Sequence, residues 1–320
     1  MAILAGIDEA GYGPLLGPLV SAVTVYEVSK ELCGQDLWKI MSASVSGRGS
    51  GRSGKLFVAD SKKVHSGKAG FARLERTALS FMKVLGRPMG EAGALLKSLR
   101  AGCLAEMREY PWYAGTDPEL PAEADANDIA VCANALRLDG RRNGVRFAAA
   151  GCQVVLAGRF NELVEQTRNK AAVLLGLTGK YLVELVRQYG SQGLVVQIDK
   201  QGGRARYRPW LQRLFPSWDL RIVGESTGAS SYEMREGDRR WEVHFRAKAE
   251  SRHLPVALAS IYAKYVRELF MRMLNAYWAR EVEGLKRTGG YYVDGRRFLK
   301  DIEEACKRLG TPMEKLVRGR

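Results

Sequence analysis

Apolar and polar positions along this chain follow two rhythms, and their succession predicts the architecture. Residues 2–7 form a short apolar run and residues 19–27 a β-branched one, joined by a Gly/Pro-rich link. That pattern predicts a hairpin of buried strands. Helical spacing predicts helices over 30–44 and 69–85, with a Ser/Gly/Arg-rich loop at 46–54 and a short apolar run at 56–59 between them. Residues 87–144 read as an insertion packed on the main fold, with helices near 92–99 and 127–138 and a Pro/Trp/Tyr loop near 110–121. The pattern then predicts a strand at 146–157 and one long helix, or two with a break near 176–179, over 161–189. A buried strand at 194–198 ends in Asp199. Strand-like stretches at 219–224 and 241–246 and helices at 255–279 and 295–309 complete the series. Strands mixed with long helices define an α/β class. No internal repeat is visible.

The 320 residues, 46% of them apolar, are enough for a sizeable core. No apolar run reaches the roughly 18 residues of a membrane span. The start, Met1 to Ile7 followed by two acids, has neither the basic region nor the cleavage site of a signal peptide, so the cytoplasm is expected. Cys33, Cys103, Cys132, Cys152 and Cys306 are scattered, and His65, His244 and His253 lie far apart. That distribution argues against a disulfide framework or a zinc site, so any metal should be a hard ion held by oxygen. The net charge of +15 favours a polyanionic partner. Part of the surplus is local: between Lys200 and Lys248 nine arginines are interleaved with Tyr207, Trp210, Trp218 and Tyr232. Such a mixture suits phosphate contact and base stacking.

Candidate chemistry begins with Asp8-Glu9, at the end of the first strand and before the glycine-rich Gly11-Tyr12-Gly13-Pro14. Adjacent carboxylates repel unless a cation holds them together, although a solvated turn would also tolerate them. A dinucleotide fingerprint is excluded, because the chain continues into β-branched residues rather than a helix. The near P-loop Gly49-x-x-x-x-Gly54-Lys55 is followed by Leu56, where Ser or Thr should hold magnesium. Asp199, at the carboxyl end of a strand, occupies a position where α/β sheets often bind ligands. Glu250 precedes the helix that starts near Pro255, where a carboxylate can also serve as a cap.

The motifs around these acids resemble those of the type 2 ribonuclease H family. Gly6 to Pro18 (GIDEAGYGPLLGP) resembles the GIDEAGRGPLAGP opening of ribonuclease HII. Asp60-Ser61-Lys62-Lys63 resembles the family's DSKKL, Gln197-Ile198-Asp199 its strand ending in Asp, and Ala259 to Lys264 (ASIYAK) its AASIxAK helix. The four occur in family order over about two thirds of the chain. Lys248-Ala249-Glu250-Ser251 and Arg159 to Leu163 are closer to ribonuclease HIII. The chain starts almost at the first motif, so the N-terminal substrate-binding domain of HIII is not expected.

The resemblance implies a ribonuclease H-like α/β fold, a five-stranded mixed sheet flanked by helices. It also implies a catalytic core over 1–254 and a C-terminal helical substrate-binding part over 255–320. It implies an endonuclease that cuts the RNA strand of RNA–DNA hybrids, or ribonucleotide-containing duplex DNA, as a monomer. Asp8, Glu9, Asp199 and Glu250 would be the catalytic ligands of two Mg2+ or Mn2+ ions, with Glu268 in reserve for Glu250. Gly11, Tyr12, Gly13, Ser61, Lys62, Lys63, Ser260, Lys264 and Tyr291 would meet nucleic acid. Tyr12 stands where HII has Arg, which puts recognition of a single embedded ribonucleotide in question. Two rival readings remain: another metal-dependent nuclease or resolvase on the same fold, and a catalytically weak nucleic-acid-binding relative.

Overall fold

The computed structural model of the chain describes residues 1–49 and 54–319. A hairpin of β1 (Ala2–Ala10) and β2 (Leu19–Val28) stands at the centre of a mixed sheet. Both strands are buried on both faces, which explains why they read as largely apolar runs rather than alternating ones. Two short strands, β3 (Val45–Ser46) and β4 (Leu56–Phe57), pair with each other in parallel. β5 (Val145–Val155) runs antiparallel outside β2, and β6 (Leu194–Asp199) runs parallel beside β1. A meander of β7 (Asp219–Glu225), β8 (Ala229–Glu236) and β9 (Arg239–Arg246) follows, and β9 docks parallel to β6. The order is β5-β2-β1-β6-β9-β8-β7. Its first five members are the expected mixed sheet, and β8 and β7 extend it to seven strands. The sequence pattern misses β8, because Ser230 and Glu233 interrupt its apolar positions. Their polar groups are satisfied locally, Ser230 by the Ala205 carbonyl at 2.5 Å and Glu233 by arginines.

Several helices differ from the predicted ones for local reasons. The predicted 30–44 helix is a 3-10 turn, Lys30–Leu32, followed by α1 (Leu37–Ile40). Gly34 takes φ +88 between them, and the Asp36 side chain caps α1 by accepting from Trp38 N at 2.9 Å. Next come α2 (Ser61–Val64), α3 (Gly70–Val84), α4 (Ala92–Ser98) and α5 (Ala126–Asn143). The predicted 161–189 stretch is α6 (Ala157–Thr167) and α7 (Lys170–Tyr189), broken at Arg168 rather than at 176–179. Arg168 is left-handed (φ +50), and Asn169 caps α7 through Ala171 N. α8 (Arg208–Leu214), α9 (Leu254–Glu281), α10 (Tyr292–Asp301), α11 (Glu303–Leu309) and α12 (Met313–Leu316) complete the chain. Residues 50–53, in the middle of the 46–54 loop and of the near P-loop, lie outside the described residues.

Helices α3, α5 and α9 cover one face of the sheet and α7 and α8 the other. α9 lies directly on β1: a Cβ on Gly6 would sit 2.2 Å from the Pro255 carbonyl carbon, so only glycine admits the helix here. Thr24 Oγ1 donates to the Pro255 carbonyl at 2.7 Å and fixes the approach. No helix among the described residues is long and apolar enough to cross a membrane.

Candidate functional site

The strand register brings the first acids together. β1 and β6 are parallel and pair Ile7 with Ile198, so the next residues, Asp8 and Asp199, emerge side by side at the strand ends. Neighbouring strands lie about 4.8 Å apart. After β9 the chain turns through Lys248 in a left-handed conformation (φ +58) into the 3-10 turn Ala249–Ser251. That turn folds back on Asp199: Ala249 N donates to Asp199 Oδ1 at 2.9 Å, and the Glu250 carboxyl shares a hydrogen bond with Asp199. Asp8 accepts from Glu9 N at 2.7 Å and from the Ser260 hydroxyl. Ser260 Oγ in turn accepts from the Ser61 hydroxyl at 3.0 Å, which ties α9 and α2 to the same spot.

Burial, followed by the charges of Glu9 and Asp199, pushes the Asp8 carboxyl well above its ordinary range. Glu9 is pushed up to about 7 by burial and then by Asp199, against the opposing charge of Lys62. Burial raises Asp199, and burial with Asp199 raises Glu250. Four carboxyls from three distant stretches of sequence thus sense one another, and each resists ionising without a counter-charge. Asp60, which caps α2 through Lys62 N at 2.9 Å, adds a fifth negative neighbour beside Glu250. It heads the DSKK motif, and that position was its only signal in the sequence. Among the described residues no three His, Cys, Asp or Glu side chains stand in a finished ligand geometry. Asp199 spends its Oδ1 on Ala249 N and turns toward Glu250, so the acids are gathered but not aimed at one point. Glu250 Oε2 is nevertheless buried with no hydrogen-bond partner among the described residues. An orphaned carboxylate oxygen beside three others suits a hard cation.

The reserve acid, Glu268, belongs to a different group. It bonds Lys264 Nζ at 2.7 Å and approaches Arg267 Nη1 at 3.4 Å and His65 Nε2 at 4.0 Å. Lys264 leads the charges that hold its carboxyl below the usual range. Lys264 therefore serves Glu268 rather than the four acids. Lys63 is exposed to solvent on the α2 turn.

The Gly11–Gly13 loop is held from beneath by two arginines that the sequence reading overlooked. Arg318 and Arg267 are 2% and 1% exposed, a rare state for arginine. Arg318 donates Nη1 to the Gly11 carbonyl and Nη2 to the Tyr12 carbonyl at 2.9 Å. Arg267 Nη2 donates to the carbonyls of Leu16 at 3.3 Å and Gly289 at 2.9 Å. In a trans peptide the N–H opposes the C=O, so the amides of Tyr12 and Gly13 point away from Arg318. Burial lowers Arg318 to about 9, with Arg267 adding to the effect. The Tyr12 ring packs on a small core of Leu19, Val155 and Phe160. Tyr291 is 55% exposed beside the loop, with the Arg267 guanidinium 5.7 Å from its ring centroid.

The arginine-rich 200–248 stretch is not a stacking surface. Tyr232 on β8 is turned inward by strand alternation, and Tyr207 and Trp218, just before α8 and β7, are buried in the same core. Arg221, Arg235 and Arg240 surround the buried Glu233 at 2.8, 2.6 and 2.7 Å. Their hydrogen bonds, led by that of Arg221, hold the Glu233 carboxyl below its usual range.

No family model and no curated protein matches the chain. Among solved structures the chain resembles type 2 ribonucleases H of both the HII and HIII kinds. One is Bst-RNase HIII in complex with Mn2+, at 18% identity and TM-score 0.45, covering 99% of this chain and 66% of that one. A second is ribonuclease H2 from Pyrococcus horikoshii OT3, at 15% identity and TM-score 0.47, covering 98% and 92%. A third is the RNase HII of Archaeoglobus fulgidus in its complex with PCNA, at 15% identity and TM-score 0.43, covering 99% and 94%. The chain thus spans just under two thirds of the length of Bst-RNase HIII.

Proposed function

We propose that the chain is a metal-dependent endoribonuclease that cleaves the RNA strand of RNA–DNA hybrids. The observation that carries this reading is the convergence of Asp8, Glu9, Asp199 and Glu250 at the carboxyl ends of β1 and β6. Burial pushes each of these acids toward its protonated form, and neighbouring carboxylates add to the push on Asp8, Glu9 and Glu250. These four carboxylates would hold two Mg2+ or Mn2+ ions, with the orphaned Glu250 Oε2 among the donors. Bound divalent ions supply an activated water and charge that stabilises the leaving 3′-oxygen.

The remaining residues hold and orient. Ser260 and Glu9 N fix the Asp8 carboxylate, and Ser61 fixes Ser260. Lys62, on the α2 turn beside Glu9, offers its ammonium to a backbone phosphate, and the exposed Lys63 extends that surface. The outward amides of Tyr12 and Gly13 are donors for a ribose 2′-hydroxyl in the minor groove of the hybrid. Gly11, at φ +84, makes the turn that presents them. Lys264 acts at one remove, by neutralising Glu268 one turn further along α9. Tyr291 offers an exposed ring on the C-terminal helical part, which would close on the substrate.

The test is incubation of the full chain, with each metal in turn, on end-labelled hybrid, duplex DNA and duplex carrying one or four ribonucleotides. Metal-dependent cutting confined to ribonucleotide-containing substrates supports the proposal. Cutting of plain duplex would assign another nuclease or resolvase, and binding without turnover would assign a catalytically weak relative.

A further inference from the structure

β5 is the last strand on its side of the sheet. Its outer edge is paired at one end only: Cys152 N donates to the Leu99 carbonyl at 2.9 Å, and Val154 N to that of Ala101 at 3.1 Å. These donors are two residues apart, as strand alternation requires, so the next outward N–H in the same phase is that of Ala150. Past Leu99, residues 145–150 border a slot of about 880 Å³. α7 walls the slot on one face of the sheet with Tyr181 and Leu185, and α3 and α5 wall it on the other with Phe81 and Leu136. Both helical layers overhang the last strand and leave the place of a further strand between them. Six residues of strand would run about 20 Å along it. Small side chains, Ala148, Ala149 and Ala150 with Gly151, form the floor and let another backbone come close.

The slot also carries a marked charge. Arg87, Arg100, Arg137, Arg141, Arg146 and Lys180 line it against one acid, Glu184, among its described residues. The whole chain has 50 basic residues against 35 acidic. Arg100 already engages Glu184 at 3.0 Å. Four of the six cations come from residues 87–144, the segment read as an insertion, which also supplies α5 and the short Leu99–Ala101 contact on β5.

We infer that this slot takes an extended acidic peptide of a partner protein, added as a strand to the open edge of β5. Its backbone bonds to the edge, its small or apolar side chains lie on the alanine floor, and its carboxylates meet the arginine rim. A second copy of this chain would set six cations against six. A nucleic acid has no backbone that matches the strand's alternating N–H and C=O groups, and it would leave the apolar floor unused.

The inference is tested by fluorescence anisotropy of the full chain with a dye-labelled peptide of about eight residues in which Glu alternates with Val. A peptide with Lys in place of Glu and one N-methylated at alternate residues are the controls. Tight binding of the acidic peptide alone is expected. The double variant Arg137→Glu/Arg141→Glu should weaken it at least about tenfold. Ala150→Pro should abolish it, since proline is tolerated on an edge strand whose N–H faces outward. Should that variant fail to fold, the N-methylated peptide tests the same bond from the other side. Equal affinity for the lysine peptide, or indifference to N-methylation, overturns the inference. So does a dimer in light scattering that Ala150→Pro dissolves, which would give the slot to a second copy. Loss of hybrid binding in the double variant without any peptide binding overturns it in favour of nucleic acid.

Discussion

Two places in this molecule gather charge of one sign, and they do so in opposite ways. At the carboxyl ends of β1 and β6 four acids are drawn out of water, and burial heads the causes that raise each of them. Along β5 the cations line an open slot, and Arg87, Arg100, Arg141, Arg146 and Lys180 are exposed. Buried like charges change their protonation or call for a counter-ion close by, whereas exposed ones stay charged and attract a partner through screened solvent. The acid cluster therefore suits small, hard cations, and the basic slot suits something long.

The sharpest break in that comparison is Asp199→Asn, which keeps the shape and removes one charge. Turnover on hybrid should fall more than about 100-fold, since loss of a mere supporting partner of a metal ligand already costs 10–100-fold. Hybrid binding by filter retention should hold or tighten, because less negative charge faces the phosphates. Glu250→Gln should behave likewise, and Glu268→Gln should keep turnover. Normal cutting by Glu250→Gln beside an inactive Glu268→Gln would exchange their roles.

The next effect is on stability. Asp8 and Glu9 titrate higher in the folded chain than in the unfolded one, so the fold holds extra protons between about pH 4.5 and 7. The stabilisation this gives the metal-free protein is complete below that window and is lost as the pH rises through it. Divalent ions offset the repulsion, so Mg2+ or Mn2+ should raise the melting temperature more at pH 8 than at pH 5. At a metal concentration 100-fold above Kd the gain is about 2.7 kcal/mol. An equal shift at both pH values in calorimetry would detach the acids from metal binding.

Arg318→Ala should cost about 1–3 kcal/mol, since it strips two loop carbonyls of their donors. Urea denaturation measures the loss, and a cost below 0.5 kcal/mol would mean that water replaces the guanidinium. The smallest effect is expected at Tyr12. Wild type should cut a single-ribonucleotide duplex more slowly than a continuous hybrid. Tyr12→Arg should narrow that gap by about tenfold or less, because the new charge comes with loss of ring packing on Leu19 and Phe160. A wild type that cuts both substrates equally fast would show that the loop amides do all the reading.

Much of this was legible along the chain. β1, β2 and β6 announced themselves through largely apolar runs, and Asp8, Glu9 and Asp199 through their place at or near strand ends. Other parts were hidden for definite reasons. β8 owes its place to arginines that satisfy Glu233, a cross-strand effect invisible in its own residues. The aromatics near Arg221 resemble a stacking surface in sequence, but Tyr207, Trp218 and Tyr232 are drawn into the core by contacts between distant elements. Asp60 passed for a motif letter until the fold set it beside Glu250.

The sequence by itself determined the α/β class, the central hairpin and the identity of the candidate acids, because those depend on local periodicity and on residue chemistry. Only the tertiary structure decided that Glu250 rather than Glu268 stands with Asp199, because a left-handed Lys248 turns the chain back while Lys264 draws Glu268 away. It likewise decided that Arg318, near the far end of the chain, holds the loop beside Asp8. It also left β5 with an open edge between two helical layers. Those outcomes depend on contacts between residues far apart in sequence, and no local pattern encodes them.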